Sequence, residues 1–488
     1  WSAAFALVAD RLNGVAPDEA AFYTSGRTSN EAAFLYQLFA RAYGTNNLPD
    51  CSNMCHESSG VALASTIGVG KGTVTLDDIH RASLLVIVGQ NPGTNHPRML
   101  TALERAKRNG ARIIAVNPLP EAGLIRFRNP QRPSGLVGEG TPLADRYLQI
   151  RVGGDRALFR AIGALLLQWD AIDRAFIDTY TDGFSDYHKV AGLDWPATVA
   201  ATRLAREEIV AAAKMFAASD ATIVCWAMGL TQQRESVPTI REIVNVQLLR
   251  GMIGKPGAGL CPVRGHSNVQ GDRTMGIWHS PPPWVPDLGG RLGFDPPART
   301  GYDTVETIRA MRDGRLRVFV GLGGNFAAAT PDTAVTAAAL ARCELTAQIS
   351  TKLNRSHVVP GRSALILPCL GRTERDVQTA GEQYVTVEDS MSCVHASRGA
   401  LEPASADLRS EVAIVAGLAR AVLPAAAPAP GPAYLPDRVG PGPVHSGRGG
   451  RRGGAGRTAA PADGTQPRPV QHHDLRAGRP VPGDPGRP

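Results

Sequence analysis

Short apolar runs alternate with longer helical stretches along most of the chain, and this alternation restricts the fold more than any other feature. The apolar run ASLLVIVG (82–89) is followed by the helical stretch TALERAKRNG (101–110) and then by a second apolar run, ARIIAVNP (111–118). A strand, a crossover helix and a second strand in this order predict a βαβ unit, and such units build parallel sheets.

The same alternation recurs later in the chain. Helices are predicted over 156–169 and 239–254, and strands over 221–229, 315–325, 343–350 and 363–370. These are too many units for one small domain. We therefore predict an α/β protein with two doubly wound, Rossmann-like domains, whose ligands bind at the carboxyl ends of the strands.

The last 64 residues differ sharply in composition from the rest of the chain. From Ala425 onward there is no Lys, Phe, Ile, Met, Trp or Cys, and Pro, Gly, Ala and Arg dominate. Such a segment cannot bury enough apolar surface to offset its ordering entropy, so residues 424–488 are predicted to form a disordered tail. We favour a frameshift as its origin, because the codons for DGTQPRPVQHHDLR permit the globular string RSHDQFNTTIY in the next frame.

The distribution of charge argues against a nucleic-acid partner. The formal net charge is +8, but nine Arg oppose four Asp from Ala425 onward, so the preceding residues carry only about three of these charges. A basic nucleic-acid-binding protein is the alternative, and it predicts salt-sensitive retention of DNA by the tail.

The apolar runs and the cysteines bear on location. The longest apolar runs fall well short of the roughly 20 residues that span a bilayer, so no membrane span is expected. Seven scattered cysteines favour reduced thiols and hence a cytoplasmic protein. Residue 1 is Trp rather than Met, and we expect the true start of the protein to lie upstream.

The adjacent pair Cys55 and His56 lies in the segment CSNMCHESSG (51–60). A thiolate is a soft ligand for a transition metal, and a neighbouring imidazole can take up a proton near neutral pH. Such a pair also arises by chance. Cys51 raises the alternative of a zinc or iron–sulfur site, although four closely spaced ligands are not available.

Three polar segments are candidate ligand sites. Residues 254–276 are crowded with Gly, Pro and polar amides and are predicted to lack secondary structure; a ligand role is favoured over a solvated interdomain loop. The segments VGQNPGTNHPR (88–98) and VGLGGNFAAATPD (320–332) are similar to each other. Their recurrence predicts two equivalent phosphate or nucleotide sites.

These segments together resemble the molybdopterin oxidoreductases, the dimethyl sulfoxide reductase superfamily, and in particular the formate-dehydrogenase-like alpha subunits. The resemblance covers roughly residues 1–420. It is carried by GRTSNEAAFLYQLFARAYGTNN, CHESSG, GQNPGTNHPRM, AKRNGARIIAVNP, LLRGMIGKPGAGLCPVRGHSNVQGDRTMG and LGGNFAAATPD.

The resemblance implies that Cys55 coordinates molybdenum or tungsten, which is also held by two molybdopterin guanine dinucleotides. It implies that His56 receives the substrate proton and that Arg264 orients an anionic small-molecule substrate such as formate. An electron-transfer partner subunit is possible, and a [4Fe-4S] cluster is expected only in full-length relatives. The residues expected to contact the pterin cofactor are Gly89, Asn91, Pro92, Asn117, Gly229, Gly265, His266, Asn268, Gln270, Gly323 and Asn325.

The resemblance also implies a domain arrangement. One α/β domain, residues 51–266, is expected to be inserted into the other, which comprises residues 1–50 and 267–423. The N-terminal cluster domain and the C-terminal β-barrel of the family are expected to be absent. The string RSHDQFNTTIY resembles the opening of that barrel, which is why we favour the frameshift.

Two departures from the family pattern leave the reaction open. The segment DCSNMCHESS is one residue shorter before the metal ligand than the loop of formate dehydrogenases, and it has Glu57 where those enzymes have Gly. Two-electron oxidation of formate or a related small substrate is the leading hypothesis. The alternatives are reduction of an oxyanion or of an S- or N-oxide, and a noncatalytic truncated fragment that lacks the cofactor.

Overall fold

The computed structural model describes residues 1–424, and two parallel β-sheets form its framework. The first sheet has four strands, and the chain leaves it after one strand and returns much later. In spatial order its strands are Ala20–Thr24, Val318–Leu322, Leu345–Ser350 and Ser363–Pro368.

The second sheet has five parallel strands, all of which lie in the chain between the first two strands of the first sheet. The predicted α/β fold with parallel sheets is therefore confirmed. The domain boundaries at residues 50/51 and 266/267 stay a prediction. In spatial order the strands of the second sheet are Arg146–Gln149, Arg112–Asn117, Leu84–Val88, Thr222–Trp226 and Gly259–Pro262.

Helices cover both faces of each sheet, and this explains the continuous apolar runs. In the strand Leu84–Val88 every residue is buried. Leu84 and Val86 face one hydrophobic core, whereas Leu85 and Ile87 face another on the opposite side of the sheet. A parallel strand covered on both faces needs apolar side chains at every position.

Three small antiparallel ladders and a set of helices complete the described chain. The ladders pair Arg126–Phe127 with Thr141–Pro142, Val377–Gln378 with Gly381–Glu382, and Val385–Glu388 with Val394–Ser397. The 3₁₀ helices are Pro17–Glu19, Cys51–Met54 and Arg355–Val358. The α-helices are Ser2–Asn13, Asn30–Tyr43, Glu57–Ile67, Leu76–Arg81, Pro92–Asn95, Pro97–Arg108, Ala122–Ile125, Pro133–Val137, Asp155–Gln168, Arg174–Tyr180, Phe184–Val190, Trp195–Thr202, Arg206–Ala217, Met228–Thr231, Ser236–Leu249, Val269–Thr274, Val285–Leu292, Thr304–Arg312, Phe326–Ala329, Thr333–Ala341 and Glu411–Val422.

One prediction of local structure is wrong. Residues 254–276 were expected to lack secondary structure, but they contain the strand Gly259–Pro262 and the helix Val269–Thr274. The short strand has no β-forming sequence of its own and is held by pairing with Thr222–Trp226, a tertiary contact that overrides local propensity.

Two further expectations concern the C-terminal tail and membrane-spanning helices. The described residues end at Pro424, so the tail that is predicted to be disordered or frameshifted lies outside them. Among the helices of residues 1–424, none is both long and apolar enough to cross a bilayer.

Gly89 and Gly229 let two loops touch at the carboxyl edge of the second sheet. The Gly229 amide donates a hydrogen bond to the Gly89 carbonyl at 3.0 Å. A Cβ on Gly229 would overlap that carbonyl oxygen, and one on Gly89 would lie 2.8 Å from the backbone carbon of Gly229. Gly89 also has a positive φ of 57°, so both positions need glycine.

We predict that Gly229→Ala lowers the free energy of unfolding by about 1–3 kcal/mol, because backbone atoms cannot move aside as side chains can. The matched control is Gly290→Ala, in the helix Val285–Leu292, where a Cβ meets no atom within 4 Å. The control should be neutral or stabilising by up to about 1 kcal/mol. Urea denaturation measures both, and equal effects would contradict the packing argument.

Candidate active site

The segment that carries Cys55 lies at the carboxyl edge of the first sheet. A backbone bridge joins Asp50 to Thr24, the last residue of the first strand. Asp50 then caps the 3₁₀ helix Cys51–Met54 by accepting a hydrogen bond from the Asn53 amide at 3.1 Å. The helix Glu57–Ile67 follows directly. We call residues 51–56 the Cys55 loop.

The Cys55 side chain is buried, and this governs its ionisation. Burial raises the pKa of the Cys55 thiol, while the Gly265 backbone amide and the positive charge of Arg264 act in the opposite direction. The thiol is therefore neutral near pH 7 in this environment. A metal ion would reverse the balance, since a coordinating thiol loses its proton.

His56 is fixed by a chain of buried hydrogen bonds. Its Nε2 lies 3.1 Å from the Val263 carbonyl, so Nε2 carries the proton, and its Nδ1 lies 3.0 Å from the Ser59 hydroxyl. Ser59 in turn accepts a hydrogen bond from the indole of Trp226 at 2.9 Å. Burial, with the charge of Arg264, lowers the pKa of His56 to about 3, so the imidazole is neutral.

Arg264 lies beside both residues and is held from two sides. Its Nε donates to the Gln270 side chain at 3.1 Å, and one amino group donates to the Gly70 carbonyl at 3.0 Å. Burial lowers its pKa to about 10, so the guanidinium stays charged at neutral pH. Within residues 1–424 its other amino group has no protein partner, which leaves donors for a ligand.

His56 and Arg264 border one cavity of about 740 Å³, which we call the Arg264 cavity. One side is polar and the other is apolar and aromatic. Its polar lining includes Ser52, Glu57, Lys71, Gln270 and Arg273, and its apolar lining includes Val61, Ala64, Val69, Trp278, Pro282 and Trp284. Cys55 borders an adjoining recess of about 290 Å³ beside Ser58 and Thr231.

A second large cavity, of about 780 Å³, lies at the carboxyl edge of the first sheet. We call it the Asn325 cavity. Gly323, Asn325 and His266, all predicted to contact the cofactor, line it. Its cationic lining consists of Arg27, Lys352 and Arg372, which suits a phosphate group.

Cys51 borders the Asn325 cavity, whereas Cys55 borders the recess near Thr231. Burial raises the pKa of the Cys51 thiol to about 12. In the part of the chain that the structure describes, no group of three or more His, Cys, Asp or Glu side chains is arranged to hold a metal ion. The two cysteines therefore do not form a protein-only zinc or iron–sulfur site there.

The other predicted contacts fall into two groups. Gly89, Asn91, Pro92, Asn117 and Gly229 gather at the carboxyl edge of the second sheet, where the Asn117 side chain donates to the Gln90 carbonyl at 3.2 Å. The Gln90 side-chain oxygen is buried there without a partner in residues 1–424.

In the second group, the side chains of Asn268 and Gln270 already form hydrogen bonds with other protein groups. Asn268 donates to the Thr28 carbonyl at 2.7 Å and accepts from the Glu388 amide at 2.7 Å. Gln270 bonds Arg264 and Glu388, at 3.1 and 2.9 Å. Gly265 lies in open space, with its amide near the Cys55 thiol.

Sequence reasoning missed four residues that build this site: Ser59, Trp226, Asp50 and Arg273. Ser59 had a detectable signal, because it follows His56 by three residues at a helix start, where two side chains meet on one face. Trp226 and Arg273 had none, because they reach Ser59 and Asp50 from 167 and 223 residues away in the chain.

The comparisons with known proteins identify the family of the chain. The family profile of the molybdopterin oxidoreductases matches residues 1–403, and the chain belongs to that family. Membership implies a molybdenum or tungsten molybdopterin cofactor.

Three curated relatives illustrate the relationship. An uncharacterized oxidoreductase of Mycobacterium tuberculosis (strain H37Rv) is 59% identical over 448 residues, covering 90% of this chain and 57% of the relative. Protein YdeP of Escherichia coli (strain K12) is 48% identical over 438 residues, covering 87% of this chain and 58% of the relative. Formate dehydrogenase H of Escherichia coli (strain K12) is 32% identical over 334 residues, covering 65% of this chain and 44% of the relative.

The chain thus spans just over half the length of the first two relatives, at 57% and 58%. A solved structure, acetylene hydratase from Pelobacter acetylenicus, superposes with a TM-score of 0.66 over 86% of this chain and 58% of that one. Its sequence identity is 16%, so this likeness shows the fold alone.

The residues present fit a molybdopterin cofactor. The Gln90 side-chain oxygen and the Thr231 hydroxyl are buried without partners in the described chain; Thr231 lines the recess beside Cys55, and Gln90 lies at the carboxyl edge of the second sheet. Buried polar atoms of this kind need a partner. The cations of the Asn325 cavity suit a phosphorylated ligand, and a single cysteine suits a metal whose other ligands come with the pterin.

We predict that Ser59→Ala lowers the free energy of unfolding by about 1–3 kcal/mol, because it leaves the Trp226 indole and His56 Nδ1 buried without partners. The neighbouring Ser58→Ala is the matched control, since Ser58 makes only a 3.4 Å hydrogen bond. It should change the stability by less than about 0.5 kcal/mol. Guanidinium denaturation measures the free energy of unfolding of both variants. An unchanged free energy of unfolding in Ser59→Ala would contradict the role of this network.

A second prediction uses Glu411, which borders the Asn325 cavity. Burial raises its pKa from 4.5 to about 7, against the opposing effects of Arg372 and the Ser29 amide. The folded state therefore binds the proton more tightly than the unfolded state does, and this carboxyl lowers the free energy of unfolding as pH rises from about 4.5 to 7.

Glu411→Gln removes the ionisable carboxyl, and with it the loss of stability as pH rises. We expect the variant to be more stable than the wild type by about 1–3 kcal/mol at pH 8 and nearly equal to it at pH 5. Urea denaturation at the two pH values measures this, with the exposed Glu306→Gln as a control that should follow the wild type at both. A difference between Glu411→Gln and wild type that did not change with pH would contradict the assignment.

Proposed function

We propose that the chain is the catalytic core of a molybdopterin-dependent oxidoreductase that oxidises formate, or a related small anion, by two electrons. The observation that carries this proposal is the meeting of the adjacent pair Cys55 and His56 with Arg264, which comes from a distant segment of the chain. The His56 ring lies 3.1 Å from the Val263 carbonyl, directly before Arg264, and the charge of Arg264 acts on both His56 and Cys55.

Each residue has a distinct task in this proposal. Cys55 would bind the metal, and Arg264 binds the carboxylate of the substrate through the amino group that faces the cavity. Charge-assisted hydrogen bonds of this kind are stronger than neutral ones and fix orientation. Because Gln270 and Gly70 hold the rest of the guanidinium, the anion would meet a donor that is already in place.

His56 would receive the substrate proton. In the described arrangement Nε2 already carries a proton and Nδ1 accepts a hydrogen bond from the Ser59 hydroxyl, so uptake at Nδ1 requires that the Ser59 hydroxyl turn its proton away. Negative charge gathered at the site also has to raise the lowered pKa of His56. The hydrogen bond from Nε2 to the Val263 carbonyl keeps the ring aligned while this happens.

The cofactor, when bound, supplies the two-electron acceptor. We propose its bis(molybdopterin guanine dinucleotide) form, with one dinucleotide at the Asn325 cavity and the other at the turn that contains Gly89, Asn91 and Asn117. A [4Fe-4S] cluster in full-length relatives, an electron-transfer partner subunit and a cytoplasmic location belong to the same proposal.

One observation favours a second candidate. The Arg264 cavity measures about 740 Å³ and has Trp278 and Trp284 in its lining, which is far more room than formate needs. This favours a larger substrate, such as an S- or N-oxide that the enzyme reduces. Dye-linked assays with formate and with such oxides distinguish the two directions.

Metal and pterin analysis of the purified 488-residue chain tests the proposal first. It predicts molybdenum or tungsten together with pterin, and loss of the metal in Cys55→Ala. A chain that carries neither, while a full-length relative carries both, would establish the noncatalytic fragment instead.

We predict that Arg264→Ala lowers kcat/KM for formate-dependent dye reduction by about ten- to a hundredfold, because it removes a charge-assisted contact worth about 1.5–3 kcal/mol. The control is Arg309→Ala, which removes an exposed arginine paired with Glu306 and should leave kcat/KM unchanged. Unaltered turnover of formate by Arg264→Ala would rule out the carboxylate-binding role.

A further inference from the structure

We infer that Arg273 is a positioning residue that fastens the two ends of the Cys55 loop to each other. Its guanidinium binds Asp50 through Nε at 2.7 Å and Nη2 at 3.0 Å, and it binds Glu57 through Nη2 at 2.5 Å. Asp50 directly precedes the loop and Glu57 directly follows it. One side chain therefore spans the segment that carries Cys55 and His56.

Two further contacts close the same arrangement. The Asn53 side chain, inside the loop, donates to Glu57 at 3.1 Å and accepts from the Asp50 amide at 3.2 Å, while the Asn53 backbone amide donates to the Asp50 carboxylate at 3.1 Å. Thr304 reaches in from another helix and donates through its hydroxyl to the Asp50 carbonyl at 3.0 Å. The loop is thus tied at both ends and in its middle, with Asn53 joining the ends from inside the loop and Arg273 joining them from a distant helix.

The surroundings make this contact strong. Asp50 is 1% exposed, and Arg273 lies mostly buried with its guanidinium 5.4 Å from the centre of the Trp278 ring. Two carboxylates beside one guanidinium raise the pKa of Arg273 despite its burial. Removing one partner of such a group leaves a buried charge uncompensated, which is far costlier than losing an exposed ion pair.

The consequence is a Cys55 loop that keeps its shape without a metal. The inference rests on the proposed function only in taking Cys55 as the metal ligand, since a preformed loop lowers the ordering cost of binding. The arrangement itself involves protein atoms alone. It can therefore be tested without activity and without metal.

The test measures how fast iodoacetamide alkylates each thiol in the full chain, purified from cells that make no molybdopterin. Mass spectrometry that resolves Cys51 from Cys55 follows the reaction under native conditions. Cys225, fully buried in a hydrophobic core, is the internal reference for global opening. The variants are Arg273→Gln, Arg273→Lys and Glu57→Gln.

The matched control is Arg250→Gln, which removes another partly buried arginine, one that donates to the carbonyls of Ala171, Ala217 and Ser219 and contacts no part of the Cys55 loop. We expect Arg273→Gln to accelerate alkylation of Cys55 at least about tenfold with Cys225 unchanged. Arg273→Lys should restore part of the protection. Arg250→Gln should leave the ratio of the two rates at its wild-type value.

Two results would overturn the inference. One is a Cys55 rate within about twofold of wild type in Arg273→Gln; the other is a parallel rise at Cys225, which would make Arg273 a residue of global stability only. If Arg273→Gln fails to fold, Glu57→Gln decides, because it breaks one half of the arrangement. Protection of Cys55 unchanged in Glu57→Gln would refute the positioning role, whatever the metal content of the protein.

Discussion

The hydrogen bond between His56 and the Val263 carbonyl joins the two halves of the site. On one side it holds the Cys55 loop, which begins at the edge of the first sheet; on the other it holds the strand end of the second sheet, from which Arg264 projects. Ser59 and the Trp226 indole complete the network and fix the imidazole tautomer. This buried bond sets the position of the imidazole relative to the segment that carries Arg264.

The electrostatics of the site follow from burial. Burial keeps the Cys55 thiol and the His56 imidazole neutral, while Arg264 stays charged with a pKa of about 10. The protein therefore offers the positive charge of Arg264 beside two groups that change state only when a ligand alters the local charge. Glu57, which directly follows the Cys55 loop, contacts Arg273 beside the Arg264 cavity and so belongs to the support of the loop.

The sequence predicted the parts of the fold that local pattern determines. The apolar strand Leu84–Val88 and the helix Asp155–Gln168 were readable because periodicity and burial agree there. The strand Gly259–Pro262 was not, because its pairing alone makes it a strand. Cys55, His56 and Arg264 could be singled out through family resemblance, whereas no local signal connects Arg273 with Asp50, since their contact spans 223 residues.

The central claim is that Cys55 binds a molybdenum or tungsten centre in this loop. X-ray absorption at the metal edge of the purified protein tests it most directly, by comparing wild type with Cys55→Ala. The account predicts a sulfur-rich metal shell that loses one sulfur ligand in the variant, or a variant that retains no metal. An identical metal shell in both proteins would contradict it.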